Sequence, residues 1–551
     1  MSYMFYKSRI TSLDLSNFNT KSVRDMNNMF SQCGYITSLD LSSFSMEKAL
    51  NISNIFEGCS ILKNIKLWKL GINLVKKMDN LFSYLLIENL DLSTVNTTGV
   101  EDMERMFYEA DKLSSINFGN FDTSQVTSMK EMFYNCYSLT TLNLSCFDTR
   151  NVINMDSLFY RCDSLQYINI STFNTTKVQS MHYMFNSCHQ LKSLDVSSFD
   201  TSSVTNMHSM FSSCQSLDYL NVSNFNTSSV TNMQSMFGSC YSLDYLNVSN
   251  FNTSKVQSMY YMFSFCEKLK SLDVSNFDTS SVTNMEGMFY HCSSLEYLNV
   301  SNFVTKSVVD MSYMFTRCLY IKSLDLTSFN TSKVRNMAYM FSYMRELTSL
   351  NLSNFDTSNV INMYDMFGDC YELTSLDLKS FNTKKVTSMG YMFSYTTSLK
   401  FLDISSFDTS SVTNMLSIFD GCSNLTSLDL SNFNTYLLKD FSDMFKDCKS
   451  LKYLDVSSFN TNNAIKMASM FYNNYNLISL DLSSFNTDKV TTMAGMFYNC
   501  SKLMSLDLSN FNATNANINN MFEDCNDYMT IISKDSKICN AKPRNSKCYQ
   551  K

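Results

Sequence analysis

Cysteine gives this chain its greatest capacity for side-chain chemistry, because the sequence contains 18 of them. Their spacing is not the C-x2-C spacing of zinc and redox sites. At the equivalent position other parts of the chain carry Leu85, Ala110, Met344, Thr396 or Asn474. Such tolerance favours a ladder of free, semi-buried thiols, since free cysteine behaves as a small hydrophobe; disulfides between adjacent turns are the alternative. The ladder consists of Cys33, Cys59, Cys136, Cys162, Cys188, Cys214, Cys240, Cys266, Cys292, Cys318, Cys370, Cys422, Cys448, Cys500 and Cys525.

Histidine and glycine offer little material for catalysis. None of the four histidines has a cysteine or serine partner in a catalytic arrangement, and no Walker loop, nucleophile elbow or His-Glu-x-x-His motif is present. The 11 glycines are too few for phosphate-binding loops. We therefore expect no enzyme, with no catalytic residue, cofactor or metal. The net charge of −7 argues against a generally basic nucleic-acid binder. The histidines are His182, His189, His208 and His291.

A Met-Phe pair, or a close variant of it, recurs along the chain at a spacing of mostly 26 residues. Self-similarity at a fixed period is the signature of a stacked repeat architecture. A single proline and 11 glycines also argue against several ordinary domains. We predict one solenoid of about 21 repeats over residues 1–525. The phenylalanines of the pair are Phe5, Phe30, Phe56, Phe82, Phe107, Phe133, Phe159, Phe185, Phe211, Phe237, Phe263, Phe289, Phe315, Phe341, Phe367, Phe393, Phe419, Phe445, Phe471, Phe497 and Phe522.

The repeat over residues 217–242 shows how one turn is built. Leu220 and Val222 alternate with polar residues, which predicts a short strand with one buried face. The polar residues 226–229 can cap a helix, and the apolar residues from Val230 to Cys240 recur at spacings of three and four, which predicts a short helix. The expected fold is an α/β repeat, a leucine-rich-repeat solenoid with one parallel β-sheet face and short helices on the opposite side.

Residues 273–292, from Asp-Val-Ser-Asn-Phe-Asp-Thr to Met-Phe-Tyr-His-Cys, resemble the BspA-like leucine-rich repeat surface proteins, in the 26-residue version found in mycoplasmas, other low-GC bacteria and some protists. The resemblance implies a cell-surface or extracellular location. It also implies adhesion to host or matrix proteins or to other cells, with a protein or glycan as the ligand. No apolar segment approaches the ~20 residues that a membrane span requires. No signal peptide is visible, and residues 1–5 match 311–315 letter for letter. We therefore expect the natural start to lie upstream of Met1.

The outward strand positions form columns that predict a contact face. The central column is almost always Asn or Asp, and one flanking column contains several tyrosines, whose large area and polar tip suit recognition. The simpler interpretation is that these residues only keep the face soluble, and a passive structural or antigenic array without a specific ligand is the alternative function. The expected contact residues are Tyr167, Tyr219, Asn221, Tyr245, Asn247, Tyr297, Asp377, Asp403, Asp429, Tyr453, Asp455, Asp481 and Asp507.

The six aspartates of that list form an acidic stripe on successive repeats. Like charges about 5 Å apart should raise some of their pKa values. One flat column supplies too few oxygens for Ca²⁺, so we expect weak, diffuse attraction of a basic partner.

The repeat pattern weakens at two places. Residues 60–100 are degenerate and contain the only tryptophan, Trp68; drift of the repeat is the simpler interpretation, and a specialised binding patch is the alternative. After Cys525 the repeat stops. We expect a partial cap at 526–538 and a mobile, basic tail at 539–551, together forming a C-terminal region over 526–551.

Overall fold

A computed structural model describes residues 1–68 and 74–550, which fall into two units, Met1–Phe277 and Asp278–Lys551. Each unit is a parallel β-solenoid. The predicted fold class is confirmed, with about 19 turns against the predicted 21 or so. Part of the degenerate stretch, residues 69–73, lies outside the described residues. Trp68 is only 1% exposed, so its side chain belongs to the core and offers no binding surface.

Short parallel strands form one side of each turn. Neighbouring strands pair one repeat apart: Leu39 lies opposite Ile65, and Leu350 lies opposite Leu376. The inward residue of each pair is apolar, and its neighbours point outward. Unit 1 has strands at Ser38–Asp40, Asn64–Lys66, Asn89–Asp91, Ser115–Asn117, Thr141–Asn143, Tyr167–Asn169, Ser193–Leu194, Tyr219–Leu220 and Ser271–Asp273. Unit 2 has strands at Tyr297–Asn299, Ser349–Leu350, Ser375–Leu376, Tyr453–Leu454, Ser479–Leu480, Ser505–Asp507, Thr530–Ile532 and Lys547–Tyr549, and an α-helix at Ser536–Asn540.

The segment predicted as a short helix is instead a series of turns, which corrects that part of the expected fold. In residues 103–110, alternate N–H groups bond to the next turn of the solenoid: Arg105 donates to the Lys130 carbonyl at 3.0 Å, and Glu109 donates to the Tyr134 carbonyl at 2.8 Å. The N–H groups between them bond back three residues. Arg105 and Glu109 both have φ of 54°, in the left-handed region, so a continuous α-helix is impossible here.

The polar corner after each strand does not cap a helix either. In unit 1, Thr227 is 1% exposed, and its hydroxyl donates to the Asn252 carbonyl at 2.9 Å while accepting the N–H of Asn252 at 2.7 Å. Asn226 accepts the N–H of Ser228 at 3.1 Å, which forms a local turn. The corner residues therefore join one turn of the solenoid to the next.

Stacked phenylalanines fill the centre of both units. Phe237 is fully buried, and its ring lies parallel to Phe211 and Phe263 at centroid distances of 5.8 and 5.7 Å. In unit 2, Phe341 lies 5.8 Å from Phe315 in the same arrangement. Each ring thus loses its contact with water only because the turns on both sides cover it.

The C-terminal region, which we call the cap, has regular structure both in the expected partial cap and in the expected tail. The strand Thr530–Ile532 pairs with Ser505–Asp507 on one side and with Lys547–Tyr549 on the other. A disulfide between Cys539 and Cys548 ties the helix Ser536–Asn540 to the last strand. The side chain of Asp535 caps this helix by accepting the N–H of Lys537 at 2.8 Å.

We expect Phe237→Ala to destabilise unit 1 locally by about 3–5 kcal/mol, because it removes a ring from a filled stack. Hydrogen exchange should accelerate in the turns that contain Phe211, Phe237 and Phe263. The exposed Tyr219→Ala serves as the control and should leave exchange unchanged. An equal acceleration in turns far from Phe237 within unit 1 would contradict the nearest-neighbour account of this solenoid.

Candidate functional site

The outward side chains of the strands form a polar surface on each unit, which we call the strand face. In the repeat at Tyr219–Leu220, Leu220 and Val222 are buried while Tyr219 is 58% exposed. Asn221 and Ser223 are half-buried. The period-two pattern of the sequence therefore placed the predicted contact residues on the outward side of their strands.

The central column of Asn and Asp has a structural task that the sequence did not reveal. Asn221 accepts the N–H of Ser223 at 3.1 Å, and Asp429 accepts the N–H of Ser431 at 2.9 Å. The same contact recurs at Asn247 and along the whole acidic stripe. Each of these side chains accepts a backbone N–H two residues on and so closes the turn that follows, as Asn and Asp do in turns.

The expectation of raised pKa values in the acidic stripe is wrong for Asp403, Asp429 and Asp455. The hydroxyl and N–H of the serine two residues on lower the pKa of Asp403 and that of Asp455. The N–H of Ser431 and then its hydroxyl lower the pKa of Asp429, although the neighbouring aspartates oppose this. Hydrogen bonds to the charged form outweigh repulsion across water-exposed space, so these carboxylates stay ionised.

The tyrosines of the flanking column have no comparable structural task. Their side chains extend into solvent, and other turns carry serine in the same column, for example Ser193 and Ser271. A tyrosine there adds exposed aromatic area that the solenoid does not need. The exposed fractions are 58% for Tyr167, 58% for Tyr219, 62% for Tyr245, 61% for Tyr297 and 65% for Tyr453.

A lysine interrupts the central column in unit 1, and the sequence analysis missed it. Lys66 lies opposite Asp40 in the strand pairing, and its Nζ is 3.0 Å from Asp40 Oδ2. Both side chains are more than half exposed, so the pair contributes little to stability. The degeneracy of this repeat hid the position, because Asn64–Lys66 lacks the Leu-Asp pattern of its neighbours.

A second aromatic surface, also missed, lies on the turn segments. Tyr134 stacks between Tyr108 and Tyr160 at centroid distances of 4.7 and 4.5 Å in unit 1. In unit 2, Tyr313 and Tyr339 stack at 4.6 Å. The residue that follows the repeat phenylalanine is Tyr in the first three cases, which was the available sequence signal. These rings cover one another's faces and are less exposed than those of the strand face.

The predicted cysteine ladder is confirmed, and the alternative of disulfides between turns is wrong. None of the fifteen ladder cysteines is in a disulfide, and fourteen of them are buried. Cys240 Sγ lies 3.2 Å from the Phe211 carbonyl oxygen, to which it donates. Burial raises the pKa of Cys240 and raises that of Cys214 to about 12, so these thiols are unreactive in the native protein.

Two carboxyl groups are buried in the turn segments of unit 2. Asp365 Oδ2 accepts the Ser342 hydroxyl at 3.0 Å, and a Cβ added at Gly368 would lie 1.7 Å from Asp365 Oδ1, so a larger residue there would displace the carboxyl. Burial raises the pKa of Asp365 to about 7, and burial also raises that of Asp420 to about 7 even though Lys446 lies 3.7 Å away. Both carboxyls therefore titrate near neutral pH.

Within residues 1–68 and 74–550, no group of three or more His, Cys, Asp or Glu side chains is arranged to hold a metal ion. The helices of the same residues include none with the length and apolar character needed to cross a membrane.

Repeats of one family cover the chain almost from end to end. The family described as "Mycoplasma protein of unknown function, DUF285" matches residues 1–86, 76–194, 136–240, 164–271, 216–324, 266–373, 321–426, 372–477 and 440–542. The chain belongs to the DUF285 family. The predicted likeness to BspA-like leucine-rich repeat proteins agrees with this tiling. No curated protein matches the chain.

Several solved structures are similar to this DUF285 protein, and all three below come from bacteria. A leucine-rich repeat protein from Bacteroides ovatus is 13% identical, with 79% of this chain and 88% of that one covered and a TM-score of 0.31. A leucine rich cell surface protein from Faecalibacterium prausnitzii is 17% identical, with coverage of 74% and 87% and a TM-score of 0.33. A leucine-rich repeat protein from Eubacterium ventriosum is 18% identical, with coverage of 58% and 85% and a TM-score of 0.32.

Alkylation of the native protein should discriminate between its thiols. Cys146 is exposed, whereas ladder thiols such as Cys240 are buried. We expect iodoacetamide at pH 8.5 to label Cys146 first, with Cys240 labelled only after denaturation, as measured by peptide mass spectrometry. Cys146→Ser should remove the fast label. Fast labelling of Cys240 in the folded protein would contradict the buried ladder.

The buried carboxyl of Asp365 should make the stability of unit 2 depend on pH. Its pKa is about 7 in the fold against its ordinary value of 3.8, so the stability contributed by the protonated group is lost as pH rises between these values. Full ionisation should cost up to about 4 kcal/mol. Asp365→Asn should flatten this dependence, leaving the part due to Asp420, while the exposed Asp377→Asn should not. Hydrogen exchange of unit 2 from pH 5 to pH 8 measures it. Equal pH dependence in wild type and Asp365→Asn would show that Asp365 does not titrate there.

Proposed function

We propose that this protein is a non-enzymatic interaction protein that binds a protein or glycan ligand through its strand face, at the cell surface or outside the cell. The observation that carries the proposal is the tyrosine flank of the strand face. These side chains are about 60% exposed and have no structural task, whereas the Asn and Asp beside them close the turns that follow by accepting a backbone N–H. Exposed tyrosine offers a large, rigid contact area with a polar tip.

The charge of unit 2 favours a basic ligand. Hydrogen bonds lower the pKa of Asp403 and of Asp429, so these two carboxylates of the acidic stripe stay ionised well below neutral pH. A row of ionised carboxylates attracts positively charged partners over roughly a Debye length, ~8 Å at physiological salt. A basic segment of a matrix protein is a ligand with the required charge.

The cap supports an extracellular or surface location. Its disulfide between Cys539 and Cys548 joins the helix to the last strand, while the ladder cysteines, fourteen of the fifteen buried, are not in disulfides. Disulfides persist mainly in oxidising compartments. The resemblance to BspA-like surface proteins points the same way, and adhesion to host or matrix proteins is the role we propose on that basis.

Replacing three tyrosines of unit 1 tests the proposal. The triple variant carries Tyr167→Ser, Tyr219→Ser and Tyr245→Ser. Other turns already carry serine in this column, so the fold should be retained. We expect binding to a panel of matrix proteins and glycans, measured by surface plasmon resonance, to weaken at least tenfold for any ligand held by this part of the face. Tyr436→Ser, which removes an exposed tyrosine from a corner, is the control.

The passive-array alternative makes the opposite prediction for the triple variant. Unchanged binding of every panel ligand that the wild type holds, with unchanged hydrogen exchange, would mean that the tyrosines of unit 1 are not a contact surface.

A further inference from the structure

A depression of about 660 Å³ opens on the strand side of unit 2. Two aromatic side chains line it: Tyr297, which belongs to the flanking column, and Tyr320, which lies in the loop before the next strand position. Tyr297 is 61% exposed and Tyr320 is 53% exposed. The buried Leu298 forms part of the floor. The site therefore offers two accessible aromatic rings around a shallow apolar base.

The charged residues of this depression are predominantly acidic. Glu296, Asp325 and Glu346 line it together with a single base, Lys322. In the part of the chain that the structure describes, none of the three carboxylates forms an ion pair. The Thr327 hydroxyl and N–H lower the pKa of Asp325, so one acid is firmly charged. A ligand here meets uncompensated negative charge.

The comparable depression of unit 1 has a different character. It is lined by Asp40, Asp91, Lys63 and Lys66, with no aromatic side chain. Lys66 already pairs with Asp40 at 3.0 Å. Its charges balance, and nothing in it could stack on a ligand. The acidic and aromatic character is thus a property of the site in unit 2 and not of the repeat in general.

Unit 2 also shows which cation its tyrosines accept. The Arg317 guanidinium lies over the Tyr343 ring at 4.5 Å, and the Arg345 guanidinium lies over the Tyr371 ring at 5.7 Å. Guanidinium groups stack on aromatic faces and also form paired hydrogen bonds with carboxylates, which an ammonium group cannot do with the same geometry. Rings and carboxylates together therefore favour arginine over lysine.

We propose that the depression lined by Tyr297, Tyr320 and Glu346 binds an arginine side chain presented by an exposed segment of a partner protein. This inference rests on the proposed function of the strand face, and it names the ligand chemistry of that function and the place where the ligand binds. The tyrosine rings hold the guanidinium plane, and Glu296, Asp325 and Glu346 neutralise its charge. Lys322 lies at the site and disfavours segments with several adjacent basic residues.

The test uses the full chain and a fluorescein-labelled Gly-Ser peptide that carries two arginines, followed by fluorescence anisotropy at low salt. Matched peptides carry lysine or glutamine instead. We expect the order of affinity Arg, Lys, Gln. Tyr297→Ser with Tyr320→Ser should weaken binding of the arginine peptide at least fivefold, as should Glu296→Gln with Glu346→Gln. Tyr436→Ser, at an exposed tyrosine in a corner of the same unit, should change it less than twofold. All substituted side chains are exposed, and hydrogen exchange checks that the fold is intact.

Three results would overturn the assignment. Equal binding of the glutamine peptide would exclude recognition of the guanidinium. In the second result, the arginine peptide still binds the double tyrosine variant but fails to bind a variant in which the six stripe aspartates become asparagine. That result would mean that the acidic stripe attracts the peptide, and it would leave the proposed function intact. If no peptide binds, but neutral oligosaccharides bind and their binding requires Tyr297, the depression is a glycan-binding site. The proposed function itself is contradicted only if substitutions on the strand face of both units leave the binding of every panel ligand unchanged.

Discussion

Hydrogen bonds from each turn to the next are the interaction on which this solenoid depends. A single turn cannot satisfy its own backbone, since Arg105 and Glu109 donate to carbonyls in the following turn and Thr227 closes a corner only through Asn252. A buried N–H without an acceptor costs on the order of 1–3 kcal/mol. A turn is therefore stable only between neighbours, and the stacked phenylalanines obey the same condition because each ring needs a ring on either side.

This bonding scheme explains both the scarcity of glycine and the failure of the helix prediction. Non-glycine residues such as Arg105, Ser235 and Tyr313 adopt left-handed φ values, a conformation that costs on the order of 1 kcal/mol. The inter-turn bonds at these residues offset that cost. The spacing of Met233, Met236 and Phe237 matches one face of a helix, but it equally suits a turn segment whose alternate residues bond outward. Glycine marks only a few of the left-handed positions, such as Gly287 and Gly495, so the sequence carried little sign of the difference.

Most of the architecture could be predicted from the sequence because the repeat fixes the register. A 26-residue shift aligns Leu39 with Ile65, so every column of strand side chains could be assigned before any coordinates. The free thiol ladder followed from the same alignment. The depression in unit 2 could not be predicted this way. Tyr320 belongs to a loop and Tyr297 to a strand column, and only folding brings different columns of adjacent turns to one site.

Unit 2 contains two classes of aspartate, one exposed and one buried, and both have a structural role in the repeat. A functional surface on such a solenoid is therefore to be found among residues that have no structural role. Asp429 is exposed, and its pKa falls because the N–H and hydroxyl of Ser431 in the following turn donate to it. Asp365 is buried, and its pKa rises because its one donor, Ser342, does not replace lost hydration. Neither needs a ligand to explain its place, since the first closes a turn through Ser431 and the second fills the space over Gly368. Tyr297 and Tyr320 differ from both: no backbone contact requires them, and serine replaces Tyr297 in neighbouring turns. Exposed aromatic area that the fold does not use is the feature that recognition can use.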